Sequence, residues 1–146
     1  MDWSSLPQYA ARRTLPAPVE TVWEVLAQPA RWTEWWPDLE LAEPTVRRAL
    51  APGALWQIEG AGRPAMFRRP LSGGALLILE VVPLRRVAFQ LPSDRIEVEL
   101  ELEPVTGDGE TVATLAVDVP RFGGVRRTMA SDALAKLAAA VRPPAD

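Results

Sequence analysis

The sequence contains no cysteine and no histidine. The first absence removes disulfides, thiol nucleophiles and thiolate metal sites. The second removes the commonest metal ligand and the commonest general base together. Tyr9 is the only tyrosine and Lys136 the only lysine; the other fifteen basic residues are arginines, an excess that reads as composition rather than as a use for guanidinium groups. The formal net charge is -3 and no run of like charge marks a nucleic-acid footprint or a polybasic membrane patch. No apolar run approaches the roughly 20 residues that span a bilayer, and Met1-Asp2-Trp3-Ser4-Ser5 lacks the basic-then-apolar order of a signal, so a cytoplasmic location is expected.

What is present is globular in character. Apolar residues make up 48% and charged residues 24% of 146, which suits one domain with its own core, ordered from residue 8 to 141 and flexible at the termini. The rest of the chain is organised around Leu15 to Leu39. After Pro16-Ala17-Pro18, the positions Val19, Val22, Trp23 and Leu26 share one face of a helix, with Pro18 at its first residue and Glu20 in its first turn. Pro29 stops that helix or starts another. Arg31 to Trp36 then reads as a second short helix closed by Pro37. Trp32, Trp35 and Trp36 put a large apolar surface on this small element. Since Trp36 adjoins Trp35, one indole is expected to be exposed.

The flanking segments read mainly as strands. Gln8 to Leu15 is the first; if Leu15 points inward, the period of two places Arg13, Ala11 and Tyr9 on the same face, unless this is an edge strand whose Arg13 bends to solvent. Leu39 to Ala49 is a strand interrupted by Pro44, tolerated at an edge or a bulge. Ala54 to Gly60 turns Trp56 inward and Glu59 outward, and Ala65 to Pro70 puts Phe67 and Arg69 on one face. Ala75 to Val82 is apolar in both phases except at Glu80, so periodicity does not assign its faces and cover on both sides is one expectation. Val87, Phe89 and Leu91 share a face of the next. From Arg95 to Glu103 acidic residues alternate with Ile96, Val98, Leu100 and Leu102, a strand with one face in water rather than a cation site. Thr106-Gly107-Asp108-Gly109 is a hairpin turn into Glu110 to Val119, with Ala113, Leu115, Val117 and Val119 on one face and Asp118 on the other. Val125 to Val141 fits a long amphipathic helix through Met129, Leu134, Leu137 and Ala138, stopped by Pro143-Pro144.

Antiparallel strands set apart from helices imply an α+β architecture, in which a curved sheet of about seven strands wraps the long C-terminal helix. A curved sheet and one cylinder do not fill space, so an internal cavity is expected between them, with the tryptophans near its mouth. The sequence also resembles the helix-grip (SRPBCC) superfamily of START, Bet v 1 and polyketide cyclase/dehydratase-like domains. The resemblance rests on Ala17-Pro18, Val22-Trp23, Leu26, Trp32, Trp35 and Pro37, on Leu50 to Trp56, on Val82 to Phe89 and on Gly109-Glu110-Thr111. It implies the helix-grip fold and an internal pocket for an apolar or aromatic molecule, in proteins that range from lipid carriers to cyclases, hydrolases and co-chaperones.

Three functions follow as expectations. The first is binding of a small hydrophobic, aromatic or lipid-like molecule without cofactor or metal, against Trp32, Trp35, Trp36, Trp56, Phe67, Phe89, Leu100, Leu115 and Met129, each of which can equally be core packing. The second is cyclase/dehydratase-like catalysis in the same pocket, for which the phase of the strands leaves Arg13, Tyr9 and Arg69, since Glu59 and Asp118 fall on the solvent phase. The third is a protein–protein interaction module or homodimer using the exposed indole or a sheet edge.

Overall fold

Prolines set the ends of the first elements. The computed structural model describes residues 8–37, 39–44, 50–60, 74–91, 96–105, 107, 109–118 and 128–142. Strand β1 (Gln8–Leu15) ends at Pro16, and helix α1 (Val19–Leu26) begins after Pro18, which sits extended as the N-cap at φ -67° and ψ 159°. Its carbonyl accepts from Thr21 N and Val22 N, so a residue without a donor still anchors the first turn. Val19, Val22, Val25 and Leu26 are buried, while Trp23 is half-buried against the same core. Pro29 starts the second short helix, a 3-10 helix over Pro29–Glu34 that begins two residues before the Arg31 expected.

The strands that follow are β2 (Leu39–Pro44), β3 (Leu55–Gly60), β4 (Gly74–Val82), β5 (Arg86–Leu91), β6 (Ile96–Val105) and β7 (Glu110–Asp118). They form one antiparallel seven-stranded sheet with β1, ordered β1-β7-β6-β5-β4-β3-β2. Both Pro44 and β1 therefore lie on edges, where a missing ladder donor is tolerated. Helix α2 (Met129–Val141) packs chiefly against β1 and β7 and also meets α1 and the 3-10 helix. This is the α+β helix-grip architecture. The expected start of α2 at Val125, the expected strand Ala65 to Pro70 and Val119 fall outside the described residues.

One face of the sheet is the core. Tyr9 pairs with Val117, Val117 with Val98, Val98 with Phe89 and Phe89 with Ile78, an inward row across five strands. On β6 burial alternates residue by residue, as the acidic pattern predicts. Strand β4 corrects its expectation. It is not covered on both sides: Leu76 and Ile78 are fully buried, whereas Leu79 is 40% and Val82 39% exposed. The register shifts between Ile78 and Glu80, so Leu79 is an extra residue in a bulge. Past the bulge the phase inverts. Val81 turns toward the core opposite Val87, and Glu80, in phase with Ile78 by count, comes out to solvent.

Candidate functional site

The inward faces of β3 and β5 meet the tryptophans. In a 3-10 helix residues three apart eclipse, so Trp32 and Trp35 project to one side. Trp35 N and Trp36 N both donate to Trp32 O, at 3.2 and 2.8 Å, and the fourth residue joins the same side. All three are buried, Trp32 and Trp35 completely and Trp36 at 4% exposure. The expectation of an exposed indole is thus corrected. Adjacent residues diverge along a strand, but positions three and four after Trp32 on one tight turn share its face. The interaction reading loses the exposed indole and keeps the sheet edges at β1 and β2.

The rings form one cluster. Trp32 lies 4.9 Å from Trp35, 4.6 Å from Trp56 on β3 and 4.9 Å from Phe89 on β5, centroid to centroid. Trp36 lies 5.7 Å from Trp35 and 5.3 Å from Phe89, and Trp35 lies 6.5 Å from Phe89. Every pair is tilted or edge-to-face, the arrangement the ring quadrupoles favour. Leu100 on β6, Leu115 on β7 and Met129 at the start of α2 are buried in the same core. The structure thus gathers Trp32, Trp35, Trp36, Trp56 and Phe89 into one packed cluster, continuous through the core with Leu100, Leu115 and Met129; Phe67 and Arg69 lie outside the described residues.

This cluster is nearly devoid of polarity. Among the described residues Thr111 is the one buried polar or charged side chain, and its Oγ1 donates to Ala17 O at 2.9 Å, tying β7 to the turn before α1. Trp32 Nε1 donates to Leu26 O at 2.8 Å, satisfying a carbonyl at the end of α1 that has no helical partner. Neither contact carries a signature in the sequence, since the pairing of β1 with β7 sets the first and the chain turn after α1 sets the second. Trp35 differs. Its Nε1 is buried and has no hydrogen-bond partner among the described residues, a situation that costs about 1–3 kcal/mol for a neutral donor.

The ionisable candidates lie elsewhere. Tyr9 is half-buried against the core, and Arg13 is exposed although its Cα faces that of the fully buried Ala113. Asp118 is half-buried at the end of β7; the Glu59 side chain is outside the described set. Glu80 lies on the outer face, 3.2 Å from Arg86 Nε, and Arg86 also reaches Glu99 at 2.6 Å and Glu101 at 3.4 Å. The glutamate row of β6 is thus a solvated face partly neutralised by one arginine. Among the described residues no group of three or more carboxylates is placed to hold a metal ion, and no helix is long and apolar enough to cross a membrane.

Solved structures share this fold at low identity, which speaks to architecture alone. Protein NE0264 from Nitrosomonas europaea is 17% identical with a TM-score of 0.67, the match covering 97% of this chain and 96% of that one. Protein CV1439 from Chromobacterium violaceum is 18% identical with a TM-score of 0.64, over 94% and 99% of the two chains. The Aha1 dimer from Colwellia psychrerythraea is 16% identical with a TM-score of 0.64, over 94% and 97%. Among curated proteins none matches the sequence significantly. The profile of one sequence family, described as polyketide cyclase / dehydrase and lipid transport, matches residues 7–142, nearly the whole chain. With that match and the curved sheet on its C-terminal helix, the chain belongs to the polyketide cyclase/dehydrase and lipid transport family.

Proposed function

We propose that the protein binds a small hydrophobic molecule, aromatic or lipid-like, between the inward face of the sheet and α2, and that it does so in the cytoplasm without a cofactor. The observation that carries this reading is the character of the wall: five aromatic rings in mutual contact, with no ionisable side chain buried among the described residues. Such a surface offers contact area to a flat or flexible apolar guest and charges nothing for desolvating a fixed charge. The family description, which includes lipid transport, agrees with it. Residues Trp32, Trp35, Trp36, Trp56, Phe89, Leu100, Leu115 and Met129 are proposed as its contacts.

Four of the six tryptophans stand in this wall, so intrinsic fluorescence reports on it directly. Titration with anthracene, fluorenone and methyl laurate is expected to give saturable quenching or a spectral shift with at least one of them. No response to any member of such a panel overturns the reading. The family description also names cyclase and dehydrase chemistry, and Tyr9, half-buried on β1, is the described ionisable side chain that packs on the core. For an enzyme using this pocket, Tyr9→Phe would abolish turnover of a polyketide-like substrate while leaving its binding intact.

A further inference from the structure

Within the aromatic wall the two fully buried indoles Trp32 and Trp35 are not equivalent. Trp32 donates its N–H to Leu26 O at 2.8 Å. Trp35 donates to none of the described residues, although its side chain is completely buried. Among the described residues one other buried side-chain nitrogen lacks a hydrogen-bond partner, Arg86 Nε, and that atom lies 3.2 Å from a carboxylate oxygen of Glu80 on the outer face. Trp35 Nε1 has no such compensation.

An unpaired donor inside an apolar wall is costly, and phenylalanine at this position would supply a ring without that cost. We propose that Trp35 Nε1–H is the polar anchor of the pocket, donating to an oxygen acceptor on the bound molecule. Indole N–H donates and accepts nothing, so it selects a guest with an oxygen lone pair: a ketone, ester or ether rather than a pure hydrocarbon. With no cation buried among the described residues to balance a carboxylate, the guest is also neutral. One donor in an otherwise apolar surface fixes which end of the guest faces the 3-10 helix. The proposal rests on the pocket reading above, and adds the chemistry of the guest to it.

Three compounds of one shape separate the two ideas. Fluorene, fluorenone and fluorene-9-carboxylate differ in having no acceptor, a neutral acceptor and an ionised one. The wild-type protein is expected to bind fluorenone about ten-fold more tightly than fluorene, and the carboxylate more weakly than fluorenone. In Trp35→Phe the preference for fluorenone falls to about one-fold while fluorene binding persists. The wild type gives a second readout that needs no variant. In indole 1H–15N spectra, with the Trp35 side chain assigned through bonds from its own backbone, fluorenone moves the Trp35 N–H proton downfield and fluorene does not. Equal affinity for fluorene and fluorenone leaves the pocket standing and overturns the anchor. So does a Trp35 proton unmoved by bound fluorenone, as when a trapped water or the face of a neighbouring ring already takes that N–H. Failure of all three compounds to bind overturns the pocket reading and the anchor together.

Discussion

At the scale of single residues, Leu84 is the position where sequence and backbone disagree. Two turns in the chain share one construction, proline followed by a residue at positive φ. In Ala51-Pro52-Gly53-Ala54 that residue is Gly53 at φ 86°, with Ala54 N donating to Ala51 O at 2.9 Å. In Val82-Pro83-Leu84-Arg85 it is Leu84 at φ 64°, with Arg85 N donating to Val82 O at 2.9 Å. Proline holds its own φ negative, so both are type II turns, which call for glycine or asparagine in the third position. Leu84 has a Cβ there and is 38% exposed, so it bears the left-handed strain with part of its side chain still in water. Leu84→Gly is expected to stabilise the protein by about 0.5–1 kcal/mol, the strain relieved less the added freedom of glycine in the unfolded chain. Denaturant midpoints of the two proteins check it; an unchanged or lowered midpoint would show that leucine contacts outweigh the strain.

At the scale of elements, the 3-10 helix is fastened by charge as well as by its tryptophans. Arg31 Nε donates to Glu34 Oε2 at 2.9 Å and its Nη2 to Glu34 Oε1 at 3.1 Å, and Nη2 also reaches Ala140 O near the end of α2 at 3.4 Å. The hydrogen bond from Arg31 holds the Glu34 carboxyl below its ordinary value of 4.5, against a smaller opposing effect of burial. The same bond raises Arg31 above its ordinary value, keeping the guanidinium charged. A depressed carboxylate contributes stability above its unfolded pKa and loses it as pH falls through the folded one. Glu34 is 43% exposed, so solvent screening limits the pair to about 0.2–1 kcal/mol. Glu34→Gln is therefore expected to cost that much at neutral pH, with the wild-type and variant stabilities converging once the pH falls well below about 4.5. A gap that stays constant from neutral to acid pH would place its origin somewhere other than the ionised carboxylate.

At the scale of the whole molecule, a single core lies on one side of the sheet, and β4 is where that matters most. Leu76 and Leu79 lie on the same strand and look alike in sequence, yet one is fully buried and the other 40% exposed beside the bulge. Leu76→Ala is expected to cost about 2–5 kcal/mol, the range for a buried leucine whose cavity cannot collapse. Leu79→Ala should stay within about 0.5 kcal/mol. Equilibrium unfolding of the two variants measures both, and comparable losses would mean that the outer face of β4 is packed against something. The same one-sided architecture places the aromatic wall and the acidic row of β6 on opposite faces. Arg86, Glu80, Glu99 and Glu101 meet solvent while Phe89, Val98 and Leu100 line the core.

The sequence by itself determined the order of elements and most of their faces. Alternation on β6 and β7, the Asp-Gly turn between them, the proline before α1 and the apolar stripe of α2 are local signals, each decided within a few residues by sterics and period. They were enough for the sheet, its helix and the helix-grip resemblance. What only the tertiary structure decided was where those local periods break or are overridden. The bulge at Leu79 turns Glu80 out of a strand whose two phases read alike, because an inserted residue changes phase without changing composition. Pairing Arg13 with Ala113 sets its backbone among inward residues, yet on an edge strand its long side chain ends in solvent. Above all, Leu15 to Leu39 reads as a surface with an indole to spare. The tight turn from Trp32 brings all three rings onto one side and buries them against Trp56 and Phe89, residues more than twenty and fifty positions away. Partners that distant in the chain leave no periodicity to read, and neither does the indole N–H of Trp35, left without an acceptor among the described residues.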